Sequence, residues 1–313
     1  MTYVNIVGTS NTFPISGAWV DHEMIDNYLW VLCCLRGSVW PDVDDSSSSK
    51  KNNHNNTTTA TPLLPSVFIT DNEKALRNAI TNAFPECKQL LCYKQIKNNF
   101  KKQLLPMMKE DEDGDKRGFL DKLAGHLDQI VLKCTISEEE KKEIDAYLRF
   151  AKDNCKDQGK SAKAFLERKM HDKENWVNTY VFKHPHFGNR TSNRAESAHA
   201  SLKHALGTSS GKLKTVTMKI VKCYEALRRL TTECLGESTT VVFDKINSSR
   251  LNDICHKICR FAMDHIKLEL AKSIIPEKLT KECECLINYN YLLPCYHQLA
   301  QYKKISISCI PRR

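Results

Sequence analysis

The first twenty residues contain two short runs of apolar and β-branched side chains. The runs are YVNIVGT (3–9) and TFPISGAWV (12–20), with Ser10 and Asn11 between them. This pattern predicts two adjacent strands joined by a tight turn. The period then changes within residues 22–36, where apolar side chains recur every three or four positions at Ile25, Tyr28, Leu29, Leu32 and Leu35. The chain is therefore predicted to begin in the order strand, strand, helix.

A polar tract then interrupts the apolar pattern. Residues 41–62, PDVDDSSSSKKNNHNNTTTATP, contain a single branched aliphatic side chain, that of Val43. Such a segment cannot bury enough apolar surface to offset the entropy lost on ordering it. We therefore predict a disordered surface loop here.

Strand and helix patterns alternate after this loop. LLPSVFITD (63–71) predicts a buried strand that ends at Asp71, and NEKALRNAITNAF (72–84) has helical spacing. QLLCY (89–93) predicts a further strand, and IKNNFKKQLL (96–105) predicts a basic helix. Alternating strands and helices indicate an α/β core with some parallel pairing.

Beyond Pro106 only helical periodicity is found. Apolar side chains recur at three and four in three stretches, namely Leu120, Leu123, Leu127, Ile130 and Cys134; Val216, Ile220, Cys223, Leu227, Leu230 and Cys234; and Leu251, Ile254, Ile258 and Phe261. These stripes predict amphipathic helices. Packing within one α-helical domain and packing in a dimeric coiled coil both remain open interpretations.

Composition narrows the class of protein. With 313 residues and 41% hydrophobic content, the chain is long enough for two domains with a sizeable core. A formal net charge of +10 favours a polyanionic partner. No signal peptide is evident and no run of 18 apolar residues occurs, so we expect neither secretion nor a membrane span. The chain has 14 cysteines, and free thiols or metal ligands explain them better than a disulfide scaffold.

The strongest local signal is CECLINYNYLLPCYH (283–297). It contains Cys283 and Cys285 as C-x-C, then nine residues, then Cys295 and His297 as C-x-H. Three thiolates and one imidazole complete a tetrahedral structural zinc shell. Scattered buried thiols are the alternative in so cysteine-rich a chain. The pattern resembles the SWIM zinc finger, in which a proline such as Pro294 often precedes the third ligand.

Asp71 lies where a predicted strand ends and a predicted helix begins. A helix N-cap is the simpler interpretation, because Asp is among the commonest residues at that position. The functional interpretation is a metal-binding carboxylate on the rim of an α/β sheet, where the ligand sites of such folds collect.

Glu196 also has two interpretations. Asn193 followed three residues later by Glu196 resembles a capping box, and a buried helical stripe would continue at Ala195, Ala198, Leu202 and Ala205. Alternatively, Glu196, His199 and Lys203 share one polar face, where the two basic groups favour the ionised, metal-ready carboxylate.

Four stretches occur in an order that resembles the transposases of Mutator-like elements (MULE transposases). They are VNIVGTSNTF (4–13), PSVFITDNEKALRNAITNAFPECKQLLC (65–92), HFGNRTSNRAESAHASLKHAL (186–206) and the terminal CECLINYNYLLPCYH (283–297). The resemblance covers about residues 2 to 300. Its second and third stretches are the most specific.

The resemblance implies a fold and its catalytic carboxylates. The fold is an N-terminally truncated α/β ribonuclease-H-like core with a large all-α insertion and a helical C-terminal region that ends in a small zinc finger. Asp71 matches the second Asp and Glu196 the Glu of an Asp, Asp, Glu triad. The implied regions are a partial core (1–105, with the loop 41–62), a helical insertion (106–185), a return to the core and a helical region (186–272), a SWIM-type finger (273–300) and a tail (301–313).

The resemblance also implies cofactors and partners. Two Mg²⁺ ions about 3.5 to 4 Å apart would clamp the attacking and leaving oxygens in phosphodiester transfer, and a structural Zn²⁺ would fill the finger. DNA, either element terminal repeats or promoter-like sites, is the expected partner, with a possible homo-oligomer, no membrane and a nuclear location. Candidate phosphate contacts are Lys97, Lys101, Lys102, Arg194 and Lys203.

The chain departs from the family pattern in three places. The first Asp would fall upstream of Met1, Gln95 stands where a C-x-x-H motif beginning at Cys92 would have its His, and the loop 41–62 is extra. Gln is not a good metal ligand and carries no charge. A site short of one carboxylate holds two divalent ions poorly, so we expect little or no strand cleavage by this chain.

Three functions therefore remain open at the level of sequence. The first is a DDE-type MULE transposase performing cut-and-paste transposition, in a truncated or decayed copy. The second is a transposase-derived, non-catalytic DNA-binding or transcription-regulatory zinc-finger protein, whose affinity would fall with salt. The third is a helical interaction protein with a zinc site.

Overall fold

The computed structural model of the chain is mostly helical. All statements below refer to the residues that it describes, which are 2–6, 11–18, 20–40, 64–110, 112–207, 212–240, 250–274, 283 and 285–310. The tract 41–62, predicted as a disordered loop, lies outside these residues. Within them, no helix is both long enough and apolar enough to cross a membrane.

The described chain begins with an antiparallel hairpin. Strand β1 (Thr2–Ile6) pairs with strand β2 (Asn11–Ser16), and helix α1 (Ile25–Val39) follows. The predicted order of strand, strand and helix is confirmed. The hydrophobic face of α1 centres on Leu32 and Leu35, which are buried.

A parallel βαβ unit comes next. Strand β3 (Val67–Thr70) pairs in parallel with strand β4 (Lys88–Leu91), and helix α2 (Lys74–Ala83) connects them. Apolar spacing on α2 places Ala79, Ile80 and Ala83 in a small core with Leu32 of α1. The predicted parallel pairing is confirmed.

The described strands form two separate sheets of two strands each, one antiparallel and one parallel. They are not joined into one sheet. The α/β element order is therefore shown, whereas the ribonuclease-H-like core is not confirmed and stays a prediction.

A helical region follows β4. It consists of α3 (Tyr93–Leu104), α4 (Arg117–Leu132), α5 (Ser137–Asn154), α6 (Lys160–Met170) and the short α7 (Asn178–Val181). These helices share one core, in which Phe100, Tyr147 and Trp176 are fully buried. The stripe predicted from Leu120 to Ile130 lies in this core, so the apolar periodicity of α4 predicted its packing correctly.

Helices α8 (Asn193–Leu206) and α9 (Leu213–Thr240) are different. No side chain that the structure describes on either helix is buried. The buried stripe predicted on α8 is wrong, because Ala195, Ala198 and Leu202 are half-buried and Ala205 is exposed. Both helices contact β2 and each other, which covers their apolar faces only in part.

The C-terminal region has its own core. Helices α10 (Arg260–Lys272), α11 (Leu286–Asn290) and α12 (Tyr296–Ala300) contribute to it together with the segment 250–259. The helix predicted to start near Leu251 is wrong before Arg260, because this segment forms turns. Turns also bring every third residue to one side, which is why Leu251 and Ile254 are nevertheless buried.

The C-terminal core extends past residue 300. Ile305 is fully buried within it, and its backbone N–H donates to the carbonyl oxygen of Arg250 at 2.9 Å. The predicted boundaries at 105, 185, 272 and 300 are not tested by the hydrophobic clusters and stay predictions.

Candidate metal centre and carboxylate site

Three thiols and one imidazole meet near the C-terminus. The ligand atoms of Cys283, Cys285, Cys295 and His297 all lie within 4.8 Å of one another. The Sγ atoms of Cys283 and Cys295 are 3.4 Å apart, and Cys285 Sγ is 3.2 Å from His297 Nδ1. Within the described residues this is the one cluster of at least three such ligands. Its donor set suits zinc.

Two short helices hold these ligands. Cys285 is the N-cap residue of α11, and Cys295 is the N-cap residue of α12. The backbone N–H of Cys295 donates to Gln298 Oε1 at 3.1 Å at the entry into α12, and His297 is the second residue of this helix. The predicted pairing of C-x-C with C-x-H is therefore seen in three dimensions.

The surroundings of Cys285 favour its neutral thiol. Burial and then the neighbouring thiols of Cys295 and Cys283 raise the pKa of Cys285 to about 12. A divalent cation would reverse this effect, since thiolates are its ligands. Because Nδ1 of His297 faces the sulfur atoms, Nδ1 is the nitrogen that would bind the metal, while the buried Nε2 has no protein partner.

A buried carboxylate ties the cluster to α10. Glu269 is only 5% exposed, and its Oε2 accepts the backbone N–H of Tyr296 at 3.0 Å. Its other oxygen accepts from Lys272 Nζ at 2.5 Å. Both oxygens of the Glu269 carboxylate thus accept a hydrogen bond. Tyr296, which lies between the ligands Cys295 and His297, is anchored to the C-terminal core.

Asp71 directly follows β3, as predicted. The N-cap interpretation is wrong, because α2 begins at Lys74 with Glu73 in the N-cap position. The βαβ crossover therefore leaves Asp71 at the carboxyl end of a parallel strand, where ligand sites of α/β sheets form.

A cavity of about 290 Å³ opens beside Asp71. Its lining combines acids, amides, one thiol and one lysine, and includes Asp71, Asn72, Glu73, Cys92, Gln95, Asn99 and Lys169. Lys169 comes from α6, so the helical region after β4 closes one side of the cavity.

Glu196 lies in the first turn of α8. The predicted capping box is wrong, because Ser192 rather than Asn193 occupies the N-cap position and its side chain makes no capping hydrogen bond. Ser192 Oγ donates to Glu196 Oε1 at 2.9 Å, and Lys94 Nζ lies 3.2 Å from Oε2. First the hydrogen bond from Ser192 and then that from Lys94 lower the pKa of Glu196, which favours its ionised form.

The junction between β4 and α3 connects Glu196 to the Asp71 cavity. Gln95 lines that cavity and also lies close enough to Glu196 to lower its pKa slightly. Cys92 lines the same cavity, its Sγ accepts a hydrogen bond from the backbone N–H of Ser192 at 3.2 Å, and the Ser192 hydroxyl oxygen lies at the same distance from it. Asp71 and Glu196 therefore both lie near the connection between β4 and α3. No described cluster of three metal ligands includes either of them.

The candidate phosphate contacts fall into two groups. Lys97 pairs with Asp128 at 2.8 Å, and Lys101 pairs with Asp121 at 2.6 Å, so both charges are already matched by α4. Lys102 and Lys203 are exposed, as is the side chain of Arg194.

Sequence reasoning missed the partners of Glu196 and a second basic surface. Lys94 and Ser192 have no motif signal, because one lies 102 residues away in the chain and the other is a common N-cap residue. The second surface is on α9, which exposes Lys212 immediately before its first turn and then Lys214, Lys219, Lys222, Arg228 and Arg229. Lysine and arginine spacing along a helix could have revealed it.

One family model matches part of the chain. The sequence model of the MULE transposase domain matches residues 50–99, a segment that contains β3, α2, β4 and the start of α3. No curated protein and no solved structure matches the chain. The matched segment includes Asp71, Cys92 and Gln95, so a transposase-related function is supported by the residues that surround the cavity.

Proposed function

We propose that this protein is a MULE-transposase-related DNA-binding protein with a structural zinc site, and that it does not cut DNA by itself. The observation that carries this proposal is the family match over residues 50–99, which centres on the βαβ unit that positions Asp71. The spatial link from this unit to Glu196 through Cys92 and Gln95 supports it.

The carboxylates explain why we expect no cleavage. Asp71 and Glu196 are two oxygen donors for divalent ions, and within the described residues no cluster of three metal ligands includes either of them. Where the family has a histidine, Gln95 lines the Asp71 cavity and lies close to Glu196 with a neutral amide. If Mg²⁺ binds, Asp71 and Glu196 would hold it and the ion would polarise a phosphodiester oxygen.

The DNA-binding surface that we propose is the exposed basic side of α8 and α9. Lys203 on α8 and Lys214, Lys219 and Lys222 on α9 are exposed, whereas Lys97 and Lys101 on α3 are paired with acids. Exposed surface cations release counterions from DNA on binding, which supplies sequence-independent affinity. DNA as the partner also favours a nuclear location.

A transposase-derived regulator without catalytic activity is the second candidate. Gln95, which replaces the histidine of the family pattern with a neutral amide, favours it over an active transposase, while the candidate zinc cluster and the basic helices serve both equally.

Gel-shift and plasmid-nicking assays on the same zinc-loaded chain test the proposal. We expect a duplex DNA probe to be retarded and a supercoiled plasmid to stay intact with Mg²⁺ or Mn²⁺. Robust nicking that Asp71→Ala abolishes would overturn the non-catalytic assignment. Absence of any DNA retardation would favour the helical interaction protein instead.

A further inference from the structure

The loop before α8 touches the segment that lies between the metal ligands. The backbone N–H of Phe187 donates to the carbonyl oxygen of Asn290 at 3.0 Å. At the next residue, a Cβ added to Gly188 would lie 2.8 Å from Tyr291 Oη, closer than real Cβ contacts allow. Both loop residues have positive φ, +50° at Phe187 and +74° at Gly188. A positive φ at a phenylalanine is uncommon and needs neighbours that hold it.

On the side of Asn290 and Tyr291, this contact is held in place by the C-terminal core. Tyr291 stacks on His265 with ring centroids 4.4 Å apart and contacts Phe261 at 5.6 Å. Asn290 is the last residue of α11, and the ligand Cys285 is the N-cap residue of this helix. A single turn of helix therefore separates a metal ligand from the carbonyl that binds Phe187.

On the side of Phe187 and Gly188, the chain continues through Arg190 and Ser192 to Glu196. Two residues after Gly188, the carbonyl oxygen of Arg190 accepts the N–H of Tyr93 at 2.9 Å, and its guanidinium donates to Trp176 O at 2.7 Å. Ser192 then bonds to both Cys92 and Glu196. The loop is thus held at one end by the helical region and at the other by the metal segment.

We propose that the metal segment, residues 283–297, is a clamp on the loop that contains Phe187 and Gly188. Asn290 and Tyr291 are the positioning residues of this clamp. With a metal on Cys283, Cys285, Cys295 and His297, α11 is ordered and holds Phe187 and Gly188 in their positive-φ conformation. Without it, α11 loses its anchor at Cys285 and the loop before Glu196 is released. This inference needs the metal site but not the DNA-binding proposal.

Hydrogen exchange at a single amide tests the clamp in the intact chain. We expect chelation of zinc to raise the exchange rate of the Phe187 amide by about tenfold or more. The amide of Lys109 is the internal reference, because it makes a comparable long-range bond to Asn154 O at 2.9 Å inside the helical region. Unchanged exchange at Phe187, or an equal rise at both amides, would overturn the proposal.

A pair of glycine variants distinguishes the effect of the contact with Tyr291 from the effect of backbone strain at a positive φ. Gly207 has the same φ of +74° as Gly188, but a Cβ there would meet open space. Because coupling is reciprocal, we expect Gly188→Ala to weaken zinc affinity by about fivefold or more and Gly207→Ala to leave it unchanged. Adding Tyr291→Phe to Gly188→Ala removes the clashing oxygen and should restore affinity. Equal affinities of the two glycine variants would contradict the clamp.

Discussion

The ammonium group of Lys94 lies 3.2 Å from a carboxylate oxygen of Glu196, 102 residues further along the chain. This pair joins the first turn of α3 to the first turn of α8. It brings Glu196, which is predicted to match the Glu of a nuclease triad, next to the turn of α3 from which Gln95 lines the Asp71 cavity.

The first prediction concerns the charge of Glu196. Ser192→Ala and Lys94→Ala should each raise the pKa of Glu196, because first the hydrogen bond from the Ser192 hydroxyl and then that from the Lys94 ammonium group lower it. Since the folded-state pKa is lowered, the stabilisation exists above the unfolded pKa and is lost as the pH falls through the folded one. NMR titration of the side-chain carboxyl carbon measures this pKa. The control is Lys102→Ala, an exposed change on α3, the helix that carries Lys94. An unchanged pKa of Glu196 in Ser192→Ala would contradict the prediction.

The second prediction concerns pH and stability. Burial and then the charge of Arg190 lower the pKa of His186 from 6.5 to about 4, with a smaller effect of His184, and neither ring nitrogen has a protein partner. The unfolded chain binds the proton more readily, so stability is complete above pH 6.5 and decreases towards pH 4, by about 3 kcal/mol at most.

Urea unfolding between pH 4 and 7 checks the role of His186. His186→Phe should flatten this part of the profile relative to the unmodified chain. His171→Phe, in which the native side chain is 89% exposed, should leave the profile as it was. A profile that His186→Phe does not alter would contradict the assignment.

The third prediction concerns Arg190. Its buried guanidinium donates to Trp176 O at 2.7 Å and to Asn178 Oδ1 at 2.9 Å. Arg190→Lys cannot keep both bonds in this geometry, so we expect a loss of about 2 kcal/mol in the free energy of unfolding. Arg149→Lys on the exposed face of α5 should change it by less than about 0.5 kcal/mol. Equal effects in chemical denaturation would show that the buried contacts contribute nothing.

The fourth prediction concerns metal content. The purified chain should carry one zinc ion, and Cys295→Ser should lose it, because a hydroxyl is a poor ligand for zinc in a thiolate shell. Cys255→Ser removes a half-buried thiol outside the ligand set and should keep the metal. Elemental analysis with native mass spectrometry provides the count. Full zinc in Cys295→Ser would exclude the proposed site.

Local sequence patterns predicted the elements better than their packing. The apolar spacing of α2 and α4 and the strand before Asp71 were predicted correctly, because each depends on neighbours in the chain. The capping roles of Asp71 and Asn193 were wrong by one or two residues, since the point at which a helix begins depends on contacts such as that of Ser192 with Cys92.

The two candidate sites also differ in how far the sequence predicted them. The four candidate metal ligands lie within fifteen residues, so their spacing alone predicted the cluster. The surroundings of Glu196 were not predictable, because only the tertiary fold brings Lys94 and Gln95 close to it and Cys92 into contact with its partner Ser192. All fourteen cysteines carry free thiols, which agrees with the expectation of thiols and metal ligands rather than disulfides.

The salt dependence of DNA affinity tests the central claim most directly. Fluorescence anisotropy of the zinc-loaded chain with duplex DNA should give a log affinity that falls linearly with log salt, by about 0.9 per phosphate contacted. Lys214→Glu with Lys222→Glu should reduce this slope, and Lys142→Glu on the exposed face of α5 should not. Affinity that is absent, or that does not change with salt, would contradict a transposase-related DNA-binding function.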